Sequence, residues 1–388
     1  MRRLNEELRE RSGVRYWKYL VCFLIMCVLV TGLAAQEKEK RVTMKCVNEK
    51  LTDALKKIEK QSSYKIVFSY NELHAIRVNA TIEGLTAPEA VKKLVVMNVN
   101  EVEKVASTVD FVFSAVDMTK DEIKAIEEEY AKTETPVVSN NSAHRWTPDV
   151  PMVVPEINPE HFDVIEFQKK RLGTKRGFIA VKPNCSIQSY APVLTAWKEF
   201  EPYEVVATTY QAISGAGKTF KDWPEMEGNI IPFIGGEEEK SEQEPLRIWG
   251  KIENGVIVKA TEPKITCQCI RVPVLNGHTA AVFVKFRKKP TKEQLIEKLE
   301  NFKGLPQELN LPSAPKQFIR YMTEDNRPQV TLDVNYENGM GINVGRLRED
   351  SIYDWKFVGL SHNTVRGAAG GAVLCAETLV AKKFIAAK

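Results

Sequence analysis

Glycine is nearly missing from the first 172 residues of this 388-residue chain. Only Gly13, Gly32 and Gly84 precede Gly173, and none lie in a cluster. A turn that wraps a dinucleotide pyrophosphate needs clustered glycine, for its dihedral angles and for close approach of the phosphate. That turn is therefore absent from the N-terminal part. Charge of one sign is also lacking: 55 basic residues face 51 acidic ones, a net charge of +4. The basic residues are interleaved with acids and form no Lys/Arg face with aromatic spacing, which argues against nucleic acid as a partner. The seven cysteines (Cys22, Cys27, Cys46, Cys185, Cys267, Cys269 and Cys375) are odd in number. Their spacings fit neither a zinc pattern nor a disulfide framework, and no metal site is expected. Cys267-Gln268-Cys269 falls on an expected strand, where residues two apart share a face, so these thiols sit side by side. Reduced, cytosolic thiols are the reading for the C-terminal two-thirds. What remains is an ordinary folded composition, 43% hydrophobic and 27% charged, with length for two or three domains.

The first forty residues read differently. A net-basic stretch (Arg2, Arg3, Arg9, Arg11, Arg15, Lys18) precedes Tyr19–Gln36, which carries no charge and ends in Gly32-Leu33-Ala34-Ala35-Gln36. Basic start, short apolar heart and small residues at the exit predict a signal peptide over 1–36. An uncleaved signal anchor crossing a membrane through 19–36 is the alternative.

Residues 40–95 carry the order strand, helix, strand, strand, helix. Val42–Cys46 alternates weakly, and Leu51, Ala54, Leu55 and Ile58 fall at helical spacing. Tyr64, Ile66 and Phe68 alternate, as do Val78, Ala80 and Ile82; Pro88 opens a second helix. This βαββα stretch resembles the short N-terminal domain of secretins and TonB-dependent receptors. The residues that carry the likeness are Leu51–Ile58, Tyr64–Tyr70 and Thr86–Ala90. The resemblance implies a periplasmic module with no catalytic residues.

From residue 97 the rhythm is that of an α/β layer. Asp110–Asp117 reads as a buried strand, Lys120–Lys132 as a charged helix, and Val137–Asn141 as a strand entering a turn. Further strands are expected at Gly177–Val181, Val205–Tyr210, Val256–Lys259, Ile265–Val272 and Ala280–Phe286. A helix is expected over Thr291–Phe302, and another after the Arg366–Gly371 turn. The strand at 177–181 delivers Pro183-Asn184-Cys185-Ser186 into a tight turn, which holds a thiol at a rigid edge. Far downstream lies Arg271–His278. A cysteine with a distant histidine is the minimal set for a thiolate nucleophile and its proton partner. Taken singly, these residues have plainer readings. Cys185 would be a small apolar filler, His278 a turn residue, Glu237–Glu239 a solvated loop, Arg145 and Arg271 salt-bridge residues. Ala212–Thr219 nearly spells a phosphate loop, but Ala212 stands where its first glycine belongs.

Several motifs in order lift these odds. They are Ser139–Arg145, Pro183–Ser186, Gln211–Gly217, Gly236–Lys240 and Arg271–Thr279. Together they resemble aspartate-semialdehyde dehydrogenase over residues 97–388. The resemblance implies NADP-dependent reductive dephosphorylation of β-aspartyl phosphate through a thioester on Cys185. It implies His278 as general acid/base, Gln211 as the orienting residue and Arg271 as the clamp on the substrate carboxylate. Arg145 and Lys240 match phosphate-holding positions, Glu237 the substrate-amine contact, and Asn184 would fix the cysteine loop. Ser114, Ala115, Ser214, Gly215, Gly217 and Gly370 match positions near the cofactor. The implied assembly is a homodimer or homotetramer, and the family is cytoplasmic.

The expected fold is thus α/β plus α+β. A truncated Rossmann-like domain (97–182 and 365–388) accompanies a mixed-sheet catalytic and dimerisation domain (183–364), behind the βαββα module. Loss of the Gly-rich start predicts poor NADPH binding, impaired hydride transfer and exposed apolar edges at Phe111, Val112 and Val137. Two alternatives follow from the N-terminal segment: a displayed binding module with an enzyme passenger, or a chimeric reading frame joined near residue 95.

Overall fold

The computed structural model describes residues 40–62, 77–87, 89–90 and 99–388. The expected signal segment, the Tyr64–Phe68 strand and most of the helix after Pro88 lie outside them. Two compact units divide the chain at residues 98 and 99.

In the first unit, β1 (Val42–Lys50) runs into α1 (Leu51–Gln61), and β1 pairs antiparallel with β2 (Arg77–Leu85). Alternation on the strands and 3.6-residue spacing on α1 aim Val42, Met44, Leu51, Leu55, Ile58 and Ile82 into one small core.

In the second unit the strand–helix alternation comes first. It contains β3 (Val112–Ser114), α2 (Lys120–Lys132), β4 (Val137–Ser139), α3 (Ile165–Leu172) and β5 (Ile179–Val181). Thr119 and Glu122 form a reciprocal capping box that starts α2 at the expected residue. The three strands are parallel in the order β3-β4-β5. Both faces of this sheet are covered, so its strands are apolar without alternation. Val137, Ile179 and Val181 face one core with Ile126 and Tyr130 of α2. Val138 and Ala180 face another with Phe178, Cys375 and Leu379. Such side chains contribute about 1.5–3 kcal/mol each on full burial.

The expectation of exposed edges holds on one side only. Val137 is fully buried because β4 is the middle strand. The far side of β5 is covered by a parallel bridge between Val181 and Met152. Among the described residues the open edge is β3, where Phe111 and Val112 are half-buried and Phe113 is exposed.

The mixed sheet follows. Its elements are β6 (Pro202–Gln211), α4 (Glu237–Ile248), the hairpin β7 (Lys251–Glu253) and β8 (Val256–Val258), β9 (Lys264–Arg271) and β10 (His278–Phe286). Then come α5 (Lys292–Glu300), β11 (Ile319–Tyr321), β12 (Ile342–Glu349), β13 (Trp355–Ser361) and α6 (Gly370–Ala381). Six strands order as β11-β12-β13-β10-β6-β9. Pairs β6/β9 and β11/β12 are parallel, and the rest are antiparallel. Cys267 and Cys269 share the buried face of β9 with sulfurs 3.8 Å apart. Residues 213–216 form a single 3-10 turn with no helix behind it, so the near phosphate loop is not one. Among the described residues no helix is long and apolar enough to cross a membrane.

Candidate active site

Strand ends place the site. Gln211 and Arg271 are the last residues of parallel neighbours β6 and β9 and lie in register. His278 opens the antiparallel β10 at the same rim. Across from them, β5 ends and Lys182–Cys185 turns into a 3-10 segment, Ser186–Ser189. These groups enclose a cavity of about 530 Å³ lined by Cys185, Gln211 and Arg271, with Arg145, Glu237 and Lys240 nearby.

Asn184 holds the cysteine turn. Its Oδ1 accepts from the Ser186 amide and hydroxyl, both at 2.7 Å, and its Nδ2 donates to the Glu237 carboxylate at 2.8 Å. Its own amide donates to Glu244 at 2.6 Å. On the far wall, Gly367 comes so close that a Cβ there would sit 2.5 Å from the Cys185 Cβ. The cysteine is therefore gripped on both sides while its sulfur faces the cavity.

The Cys185 Sγ lies 3.3 Å from His278 Nε2. On the other side of the ring, the Ala212 amide donates to Nδ1 at 3.0 Å. An N–H pointed at Nδ1 fixes the tautomer: Nδ1 accepts, so Nε2 carries the proton and offers it to sulfur. Burial, with the Arg271 charge beside it, holds the imidazole pKa down to about 3, so His278 is neutral at physiological pH. Burial pushes the Cys185 thiol up, while the Lys182 and Arg145 charges pull against it.

The Arg271 Nη1 donates to Ala212 O at 2.6 Å, which leaves other guanidinium N–H groups for a ligand. Gln211 is anchored by Thr209 Oγ1 at 3.2 Å. Partial burial raises the Glu237 pKa, yet Lys240, Asn184 and Gln211 outweigh that and hold it below the usual range. Arg145 is committed to protein: Glu244 at 2.9 Å, Lys182 O at 3.1 Å and Asn140 O at 3.3 Å. Four cationic side chains and one carboxylate line the cavity, a balance suited to a multiply charged anion with one cationic group.

Of the cofactor-matched positions, Ser214 and Gly215 line the cavity. Ser114 stands behind it, accepting from Asn141 Nδ2 at 2.9 Å. Ala115 is exposed, Gly217 caps the 3-10 turn at φ +69°, and Gly370 starts α6; none of these lines the cavity. Lys182, Asn140, Asn363 and the supporting Glu244 were not singled out from sequence. For Lys182 a signal existed: it is the one charge ending an otherwise apolar run, three residues before the cysteine.

The family model described as "Semialdehyde dehydrogenase, NAD binding domain" matches residues 46–165. The one described as "Semialdehyde dehydrogenase, dimerisation domain" matches residues 192–366. Aspartate-semialdehyde dehydrogenase of Methanothermobacter thermautotrophicus is 41% identical over 299 residues, 75% of this chain and 83% of that protein. The Schizosaccharomyces pombe enzyme is 43% identical over 283 residues, 71% of this chain and 78% of its own. The Candida albicans enzyme, solved with NADP, superposes with a TM-score of 0.65 at 33% identity. That match covers 84% of this chain and 88% of the other.

Against a bound dinucleotide, the residues here fit at one end. Asn140, Asn141 and Ser142 line the cavity at the C-terminal tips of parallel strands, where such ligands lie. Asn140 Oδ1 is buried without a hydrogen-bond partner, an acceptor left for a ligand. At the other end no glycine cluster precedes Gly173 to hold the pyrophosphate. The passenger and chimera alternatives gain no support: the NAD-binding model begins at residue 46, within the stretch expected as a separate module. The identity and coverage of these relatives carry the conclusion: the chain belongs to the aspartate-semialdehyde dehydrogenase family.

Proposed function

We propose that the Cys185–His278 cleft carries the family's chemistry in this chain, with β-aspartyl phosphate as substrate and NADP as cofactor. The observation that carries this reading is the 3.3 Å approach of Nε2 to Sγ, with the ring oriented by the Ala212 amide. The Cys185 thiolate attacks the acyl carbon. The carbon–oxygen bond to phosphate breaks, phosphate leaves, and a thioester remains. NADPH, when bound, supplies a hydride to that carbon. The His278 Nε2–H bonds to sulfur whenever it is anionic, before attack and again as the C–S bond breaks to release the aldehyde. Arg271 clamps the substrate carboxylate as a fixed fork. Glu237 receives the substrate amine, Gln211 orients the acyl group, and Lys240 with Arg145 attracts the phosphate. Asn140 and Asn363, which line the cavity, would help to hold the cofactor.

The domain limits are proposed as 97–182 with 365–388 for the cofactor side and 183–364 for the catalytic side. The packing of α6 on β4 and β5 supports joining the chain end to the first part. A homodimer through the dimerisation domain follows from the family match; a tetramer is a further possibility of that family. For residues 40–95 we assign the secretin/TonB-type module, supported by a core of their own. The 1–36 segment, as a signal or anchor, would direct the chain to the inner membrane or periplasm rather than the cytoplasm. N-terminal sequencing of membrane, periplasmic and cytosolic fractions tests this: an intact start in the cytosol alone defeats it.

The functional test follows NADP reduction at 340 nm with aspartate semialdehyde and phosphate. Phosphate-dependent turnover that disappears in Cys185→Ala is expected. Turnover that survives in Cys185→Ala would refute the assignment.

A further inference from the structure

A neutral His278 poses a charge problem at the nucleophile. With Nδ1 occupied by the Ala212 amide, Nε2–H donates to sulfur, and no imidazolium balances a thiolate. A buried thiolate needs a cation nearby. One ammonium is built into the turn itself. Lys182 is buried, lines the same cavity and follows β5 directly, three residues before Cys185. Its Nζ donates to Pro183 O at 2.8 Å and to Gly367 O, whose backbone grips the cysteine from the opposite wall. Its Cε packs toward the first turn of α6, since a Cβ on Gly371 would lie 3.5 Å from it. The lysine thus ties the two walls around Cys185 together and brings a positive charge to the cavity that the sulfur faces.

We propose that Lys182 is a positioning residue that supplies the countercharge for the Cys185 thiolate. This rests on the reading of Cys185 as nucleophile. The other charged and titratable groups facing Lys182 are Arg145 and Arg366, which oppose its charge, and Glu244, which favours it; Cys375 lies on α6 beside it. Arg145 is neutralised by Glu244 at 2.9 Å, and Arg366 by Glu156 at 2.6 Å. Among the described residues Lys182 has no carboxylate within salt-bridge distance, so the thiolate is its natural partner. Burial and then Arg145 lower its pKa to about 8, which still leaves it mostly protonated at neutral pH.

The test is the pH dependence of Cys185 alkylation by iodoacetamide in the full chain, read by peptide mass. In Lys182→Met the thiol inflection should move up by about one pH unit or more, with alkylation at neutral pH slowed about tenfold. Lys182→Arg, which keeps the charge, should restore most of the native profile. Cys375, on the buried face of α6, must stay unreacted in each folded variant. A second measurement needs no substitution at Lys182. By reciprocity, removing the thiolate in Cys185→Ala should lower the Lys182 titration, followed by 15N resonance of Nζ. The same inflection in Lys182→Met as in the native chain, or an unmoved Lys182 titration in Cys185→Ala, would overturn the proposal. Failure of Cys185 to alkylate at any pH in the native chain would overturn the nucleophile reading as well.

Discussion

Replacing His278 by Ala isolates the hydrogen bond on which the thiolate depends. The native ring offers Nε2–H to sulfur at 3.3 Å and is locked by the Ala212 amide at 3.0 Å. A hydrogen bond to a charged acceptor contributes about 1.5–3 kcal/mol. At about 1.4 kcal/mol per decade, its loss slows thiolate chemistry roughly 10- to 150-fold. The assay is steady-state kcat/KM, with Cys185 alkylation measured beside it. His278→Gln restores an N–H donor without a titratable ring, so it should recover part of both alkylation and turnover. Because burial and Arg271 keep the imidazole neutral down to about pH 3, native alkylation should show no imidazole inflection near neutrality. His278→Ala activity within about threefold of native, short of the roughly tenfold lower bound set by the hydrogen bond, would refute the reasoning.

Three further outcomes follow. In the folded chain His278 titrates near 3, and in the unfolded chain near 6.5, so the unfolded chain binds the extra proton in that window. Stability is therefore full above about pH 6.5 and falls as pH drops toward 3, and His278→Ala should flatten that part of a denaturant-midpoint profile; an unchanged slope contradicts it. Glu156→Gln breaks a bidentate pair with Arg366, both bonds 2.6 Å and both partners buried, and should cost about 3–5 kcal/mol in urea unfolding; a change below about 1 kcal/mol contradicts it. NADPH should bind at least about tenfold more weakly than to the Candida albicans relative measured side by side, since even one missing charge-assisted bond is worth that much; equal affinity in a fluorescence titration defeats the argument from the missing turn.

Local chemistry made much of this fold readable. Thr119 with Glu122 and Thr291 with Gln294 are capping pairs, and the helices at 120 and 292 begin beside them. The alternation of Ala280–Phe286 and the apolar run at 177–181 gave their strands to within two residues. Strands β12 and β13 were not foreseen. A bulge between Gly345 and Arg348 interrupts the alternation of β12, and Arg346 there adopts φ +56°. Helix α4 was missed because its start, Glu237-Glu238-Glu239, reads as a solvated loop and Pro245 breaks the pattern. In the site, Cys185, His278, Gln211 and Arg271 stood out because strand ends brought their motifs together. Lys182 did not, because the value of a charge at a buried strand tip depends on partners distant in sequence, here Gly367 and Cys185.

The most direct measurement is the mass of the Cys185 peptide after brief exposure of the full chain to β-aspartyl phosphate and acid quench. An aspartyl adduct on Cys185 is predicted, reduced in His278→Ala and absent from Cys267, Cys269 and Cys375. Phosphate release with no adduct on Cys185, or with the adduct on another cysteine, would contradict the account.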